Sequence, residues 1–93
     1  TPAELEYRAK LVELIYSANL GLLQKFLSEA DESRTGDSHA VASARIKREF
    51  AREFTDTNQP ELSHVQAWAL TLLRAHTKEM EEKYGKQSNA SDG

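Results

Sequence analysis

The sequence predicts an all-α fold, a small antiparallel bundle of three long helices, or of four if the first breaks near Asn19 and Gly21. Apolar residues recur at spacings of three and four in three separate segments, which is the periodicity of amphipathic helices. No segment sustains the period-two alternation that is typical of a strand. Short polar loops separate the segments, and such loops place successive helices antiparallel.

Composition limits the classes of protein to which the chain can belong. The chain has 93 residues, which is enough for one domain, and a formal net charge of −3. It has no cysteine, so disulfides, thiolate zinc sites and cysteine nucleophiles are excluded, and a cytoplasmic or other reducing compartment is expected. No apolar run is long enough to span a membrane. The net acidity makes nucleic acid an improbable partner.

The first segment has the strongest helix start and the greatest density of large apolar residues. Thr1 is suited to cap a helix, Pro2 suits its first position, and Glu4 completes a capping box. Two adjacent apolar rows follow, and together they make a wide face that needs neighbours on more than one side. The rows are Leu5, Ala9, Val12, Tyr16, Leu20, Leu23, Leu27 and Ala30, and beside them Leu11, Ile15, Ala18, Leu22 and Phe26.

Residues 17–21 interrupt this segment with Ser17, Asn19 and Gly21, all of which disfavour a helix interior. Either one helix, straight or kinked, continues to about residue 30, or two helices meet near Asn19. The apolar rows continue without a change of phase, which favours a single helix.

The second helix is predicted from about Ser38 to Phe54. The preceding residues, 31–38, are all polar apart from Gly36 and form a loop, and Asp37 or Ser38 is expected to cap the helix. Its apolar residues are Ala42, Ile46, Phe50 and Phe54, and its opposite side carries Arg45, Arg48 and Arg52.

The last helix follows the polar segment 55–60 and is expected to open at Pro60, with Asn58 or Gln59 near its cap. Gly85 is a suitable C-terminal stop. We therefore expect one domain over residues 1–86 and a disordered tail over 87–93, which is small and polar. The apolar face of this helix comprises Leu62, Val65, Ala69, Leu72, Leu73, Met80 and Tyr84, with His76 in its middle.

His76 is the residue best placed for chemistry, but the sequence supplies no partner for it. A buried acid or base needs a facing carboxylate or second histidine, and the favoured interpretation is a histidine that hydrogen-bonds across the bundle or sits at its edge. A carboxylate-bridged metal pair needs Glu-x-x-His on paired helices, whereas His76 precedes Glu79 in the reverse order and without a second copy. No phosphate-binding glycine loop or glycine-flanked serine turn occurs. We therefore expect no metal, no cofactor and no enzymatic activity.

Two further features suggest binding. The arginine row of Arg45, Arg48 and Arg52 could contact an acidic protein surface or, weakly, phosphates. Trp68 lies on the flank of the last helix, and tryptophan is enriched at binding hot spots. The candidate interface or pocket residues are Leu11, Ile15, Tyr16, Phe50, Trp68, His76 and Met80.

The sequence thus favours a non-catalytic helical module for protein–protein interaction or dimerisation, of a regulatory or adaptor type. The motivation is the width of the first apolar face, which two shorter helices would not fully cover. The alternative is a ligand-sensing domain of a larger transcriptional regulator, with a pocket lined by Tyr16, Phe50, Trp68, His76 and Met80. A weak nucleic-acid binder acting through the arginine row is the third hypothesis.

Overall fold

The computed structural model describes residues 1–31, 33–55 and 60–85. These residues form four α-helices and no strand, so the predicted all-α bundle is confirmed. The helices are α1 (Pro2–Ile15), α2 (Gly21–Glu29), α3 (Ser38–Glu53) and α4 (Leu62–Met80), and α4 continues into a π-helical turn, Glu81–Gly85.

The first segment is two helices, so the single helix favoured by its periodicity is wrong. The cause lies in the polar side chains between α1 and α2. The Ser17 hydroxyl donates to the Leu14 carbonyl at 2.7 Å, and the Gly21 amide donates to Asn19 Oδ1 at 2.8 Å. These bonds satisfy backbone groups that a continuous helix would otherwise use, and the chain reverses there.

The other helix ends are largely those expected. The Glu4 amide donates to Thr1 Oγ1 at 3.2 Å within a complete capping box, and Asp37 accepts from the His39 amide at 3.0 Å. The last helix begins two residues after Pro60, with Glu61 at its N-cap. The expected cap at residues 58–59 and the tail at 87–93 lie outside the described residues.

Contacts near the two ends of α1 establish its direction relative to α4. Lys83 Nζ lies 3.4 Å from Glu4 Oε1 at one end of α1, and Gln66 Nε2 donates to the Ser17 carbonyl at 2.9 Å beyond the other end. Helix α4 therefore runs antiparallel to α1. Helix α1 is central, since it packs against the three other helices, and α2 packs chiefly against α3.

The hydrophobic core lies where α1 faces the rest of the bundle. Its largest fully buried apolar side chains include Tyr7, Leu11, Leu14, Ile46 and Val65. Because this core uses only one side of α1, the opposite side of that helix faces solvent.

Candidate functional site

The outward side of α1, together with its C-cap residue Tyr16, carries a continuous apolar stripe, which we call the outer stripe: Leu5, Ala9, Val12 and Tyr16. At the helical repeat of 3.6 residues per turn these four positions fall within about 60° of one another, on the side away from Leu11. The exposed fractions are 70% for Leu5, 41% for Val12 and 83% for Tyr16. Among the described residues, these are three of the four exposed large apolar or aromatic side chains, the fourth being Tyr84.

Charged residues border the outer stripe, and the two borders differ in sign. Glu6 and Glu13 lie along one edge and Arg8 along the other. Glu6 pairs with His39 Nδ1 at 3.1 Å, and Arg8 reaches inward to His76. Glu13 is exposed. An apolar stripe between charged borders is the surface pattern of a helix that packs against another helix.

His76 forms the expected hydrogen bond across the bundle, and its partner is an arginine. The side chain is 1% exposed, and Arg8 Nη1 lies 3.1 Å from His76 Nδ1. A guanidinium group only donates, so Nδ1 accepts and the ring proton is on Nε2, which has no hydrogen-bond partner among the described residues. Burial lowers the pKa of His76, and the charges of Arg45 and Arg8 lower it further.

A second buried polar group lies beside this histidine and is built around Tyr7. The Tyr7 ring meets the His76 ring edge-on with centroids 5.2 Å apart, and its hydroxyl donates to Glu49 Oε1 at 2.7 Å. Burial and the Glu49 carboxylate both raise the pKa of Tyr7. The Arg45 guanidinium lies over the Tyr7 ring, 4.0 Å from its centroid, and 3.6 Å from Glu79. These groups are engaged with one another and hold α1, α3 and α4 together.

The arginine row is therefore divided between two environments. Arg45 is half-buried and packs on Tyr7, whereas Arg48 and Arg52 are exposed on the outer side of α3. A partner would meet only the latter two directly.

Trp68 and Phe50 belong to an aromatic cluster between α3 and α4. The Phe50 and Phe54 rings stack with centroids 4.7 Å apart, and Trp68 meets the Phe54 ring edge-on at 5.4 Å. His64 packs on Phe54 at 4.4 Å from the other side. Trp68 therefore packs in the contact between α3 and α4.

The predicted candidates are thus dispersed. Leu11 is fully buried in the core, Ile15 and Met80 are half-buried, and Tyr16 is exposed on the outer stripe. Sequence reasoning missed Leu5 and Val12 as surface candidates, although both stand in the first apolar row. The sequence did contain a signal for them, because Leu5 and Val12 lie on the side of α1 away from Leu11. A helix that packs through one face only does not need apolar residues on both sides.

Two clefts lie in the described part of the chain. One, of about 630 Å³, lies between α1, α2 and the start of α3, is lined mainly by charged residues, and adjoins the outer stripe at Glu6, Ala9 and Glu13. At its edge Lys10 is buried, with Nζ 3.8 Å from Glu29 and 4.3 Å from the centre of the Phe26 ring. The other, of about 490 Å³, lies beside Ala44, Lys47 and Arg48. Neither is lined by Tyr16, Phe50, Trp68, His76 or Met80.

Within the described ranges, no group of three or more His, Asp or Glu side chains is arranged to hold a metal ion. No helix in those ranges has the length and apolar character to cross a membrane.

A scan of protein-family models, a search of curated proteins and a search of solved structures each found no match to this chain.

Proposed function

We propose that this chain is a non-catalytic helical interaction module that binds another protein, or a second copy of itself, through the outer stripe of α1. The observation that carries the proposal is the position of Leu5, Val12 and Tyr16, exposed together on one side of a helix whose other side makes the core. Single exposed apolar residues are ordinary on protein surfaces, but grouped ones mark interaction sites.

The energetics favour covering this stripe. Burying a leucine or valine side chain contributes roughly 1.5–3 kcal/mol. Tyr16 adds a large aromatic surface with a polar tip, the combination enriched at binding hot spots. Leu5, Ala9 and Val12 lie on a regular helix and Tyr16 caps its end, so the backbone of the stripe is already ordered before docking.

The contacts among the buried polar side chains indicate that these side chains have a structural role. Arg8 engages His76, and Tyr7 engages Glu49 and Arg45, so these side chains link helices. In the part of the chain that the structure describes, the outer stripe holds three of the four exposed large apolar or aromatic side chains. Small helical modules of this kind are common among regulators and adaptors.

Site-specific photo-crosslinking tests the proposal. A photoreactive amino acid replaces Val12 in one variant and Ala67, an exposed residue of α4, in a matched control. We expect adducts from position 12, either with a second copy or with another protein, and their loss when Leu5→Asp is added. Equal labelling from both positions, or none from position 12 in extracts and at high protein concentration, would refute the proposal.

A further inference from the structure

We infer that the occupant of the outer stripe is a second copy of this chain, with the two α1 helices side by side and parallel. The inference rests on the proposed function and adds the identity of the partner and the orientation of the pair. It is carried by the spacing of the stripe and by the charges along its two edges.

The spacing of the outer stripe is that of a coiled-coil seam. Leu5, Ala9, Val12 and Tyr16 are separated by four, three and four residues, which is the alternation of the d and a positions of a heptad repeat. Leu5 and Val12 then occupy d, and Ala9 and Tyr16 occupy a. A seam of this kind packs most readily against an equivalent seam, and a second copy supplies one with matching length.

The edge charges distinguish the two possible orientations. In this register Glu6 and Glu13 occupy e positions and Arg8 occupies g. A parallel pair sets each g residue against the e residue five positions later in the partner, so Arg8 faces Glu13 of the second copy, twice by symmetry. An antiparallel pair sets e against e, which brings Glu6 to Glu13 of the other copy, also twice. Opposite charges meet in the first arrangement and like charges in the second.

The structure leaves Arg8 able to make this contact. One of its terminal nitrogens donates to His76, and the guanidinium has further N–H groups. The bond to His76 also orders the side chain, which lowers the entropy cost of a second contact. Because the core lies on the opposite side of α1, Leu5, Val12 and Tyr16 remain exposed and available to a second copy. The edge of the seam at Glu6 and Glu13 adjoins the cleft between α1, α2 and the start of α3.

The size of the seam predicts a weak dimer. Two heptads of one helix bury much less than the roughly 800 Å² per partner of a standard stable interface. We expect a dissociation constant on the order of tens to hundreds of micromolar.

Sedimentation equilibrium of the full chain, from roughly 10 μM to 1 mM, tests the inference. We expect a monomer–dimer equilibrium that Val12→Glu abolishes. Glu13→Arg should weaken the dimer roughly fivefold or more, since two attractions to Arg8 become repulsions. Glu82→Arg substitutes an exposed residue and changes the net charge by the same amount as Glu13→Arg. It should leave the dissociation constant of the dimer within about twofold of the original value. Circular dichroism of each variant confirms that the fold is retained.

The other outcomes separate the two proposals. A dimer that tightens with Glu13→Arg is antiparallel, because position 13 would then attract Glu6; this overturns the inference and leaves the proposed function standing. A monomer throughout the range overturns the inference as well, and the crosslinks from Val12 then decide the proposed function. A dimer indifferent to Val12→Glu uses another surface; this overturns the inference, and the crosslinks from Val12 then decide the proposed function.

Discussion

The two faces of α1 can be separated by making one substitution at two positions. Leu5 and Leu11 are the same residue in the same helix, but Leu5 is 70% exposed and Leu11 is 0% exposed. Replacing each by alanine removes the same atoms from opposite sides of the helix. The difference in stability between the two variants therefore measures burial alone, since the change in helix propensity is shared.

The expected magnitudes differ by several kcal/mol. Leu11→Ala removes a side chain from the core beside Tyr7 and Leu14 and leaves a cavity, which costs about 2.5–5 kcal/mol. For a domain of this size the thermal midpoint should fall by roughly 10–30 °C. Leu5→Ala removes atoms that already contact water, so the free energy of unfolding should change by less than about 0.5 kcal/mol.

Urea denaturation followed by far-ultraviolet circular dichroism measures both variants. The protein is kept dilute, so that self-association does not contribute. A Leu5→Ala variant that loses more than about 1.5 kcal/mol would refute the assignment of Leu5 to the outer face. A Leu11→Ala variant that loses less than about 1 kcal/mol would refute the position of Leu11 in the core.

Three further predictions concern polar contacts. The folded-state pKa of His76 lies below its unfolded value of about 6.5, so the unfolded chain binds more protons and stability should decline as pH falls below about 6.5. His76→Gln should flatten this decline, and an unchanged slope would count against a buried neutral ring. Tyr7→Phe removes the hydrogen bond to the Glu49 carboxylate and should cost about 1.5–3 kcal/mol in urea denaturation, whereas a neutral effect would mean that water replaces it. Asp37→Ala removes the N-cap of α3 and should lower the free energy of unfolding by about 1 kcal/mol. Asp37→Asn still caps the helix and is the control, and equal losses of stability in both variants would exclude capping as the cause.

The helical elements were largely readable from the sequence because local signals determine them. The capping box at Thr1 and Glu4 and the cap at Asp37 depend on residues within one turn, and both are present in the structure. The break after Ile15 was harder to predict. Apolar periodicity extended through it, but local hydrogen bonds from Ser17 and Asn19 prevailed over that periodicity.

The allocation of α1's two apolar rows could not be read from the sequence. Both rows carry large aliphatic residues, Leu5 and Val12 in one and Leu11 and Ile15 in the other, and the choice between them depends on where α3 and α4 pack. The core face includes Tyr7 and Lys10, a phenol and an ammonium that hydropathy assigns to the surface. Their burial depends on Glu49 and Glu29, which are distant in sequence. Composition gives no sign of such pairs.

The aromatic cluster at Trp68 has a spectroscopic consequence. Trp68 is the chain's only tryptophan, and it is 6% exposed between α3 and α4, enclosed by Phe50 and Phe54. Its emission should be blue-shifted and resistant to aqueous quenchers such as iodide. The indole is part of the packing between α3 and α4, whereas the outer stripe belongs to the solvent side of α1. Intrinsic fluorescence is therefore a sensitive monitor of α3 separating from α4 and should remain nearly constant when α1 acquires a partner.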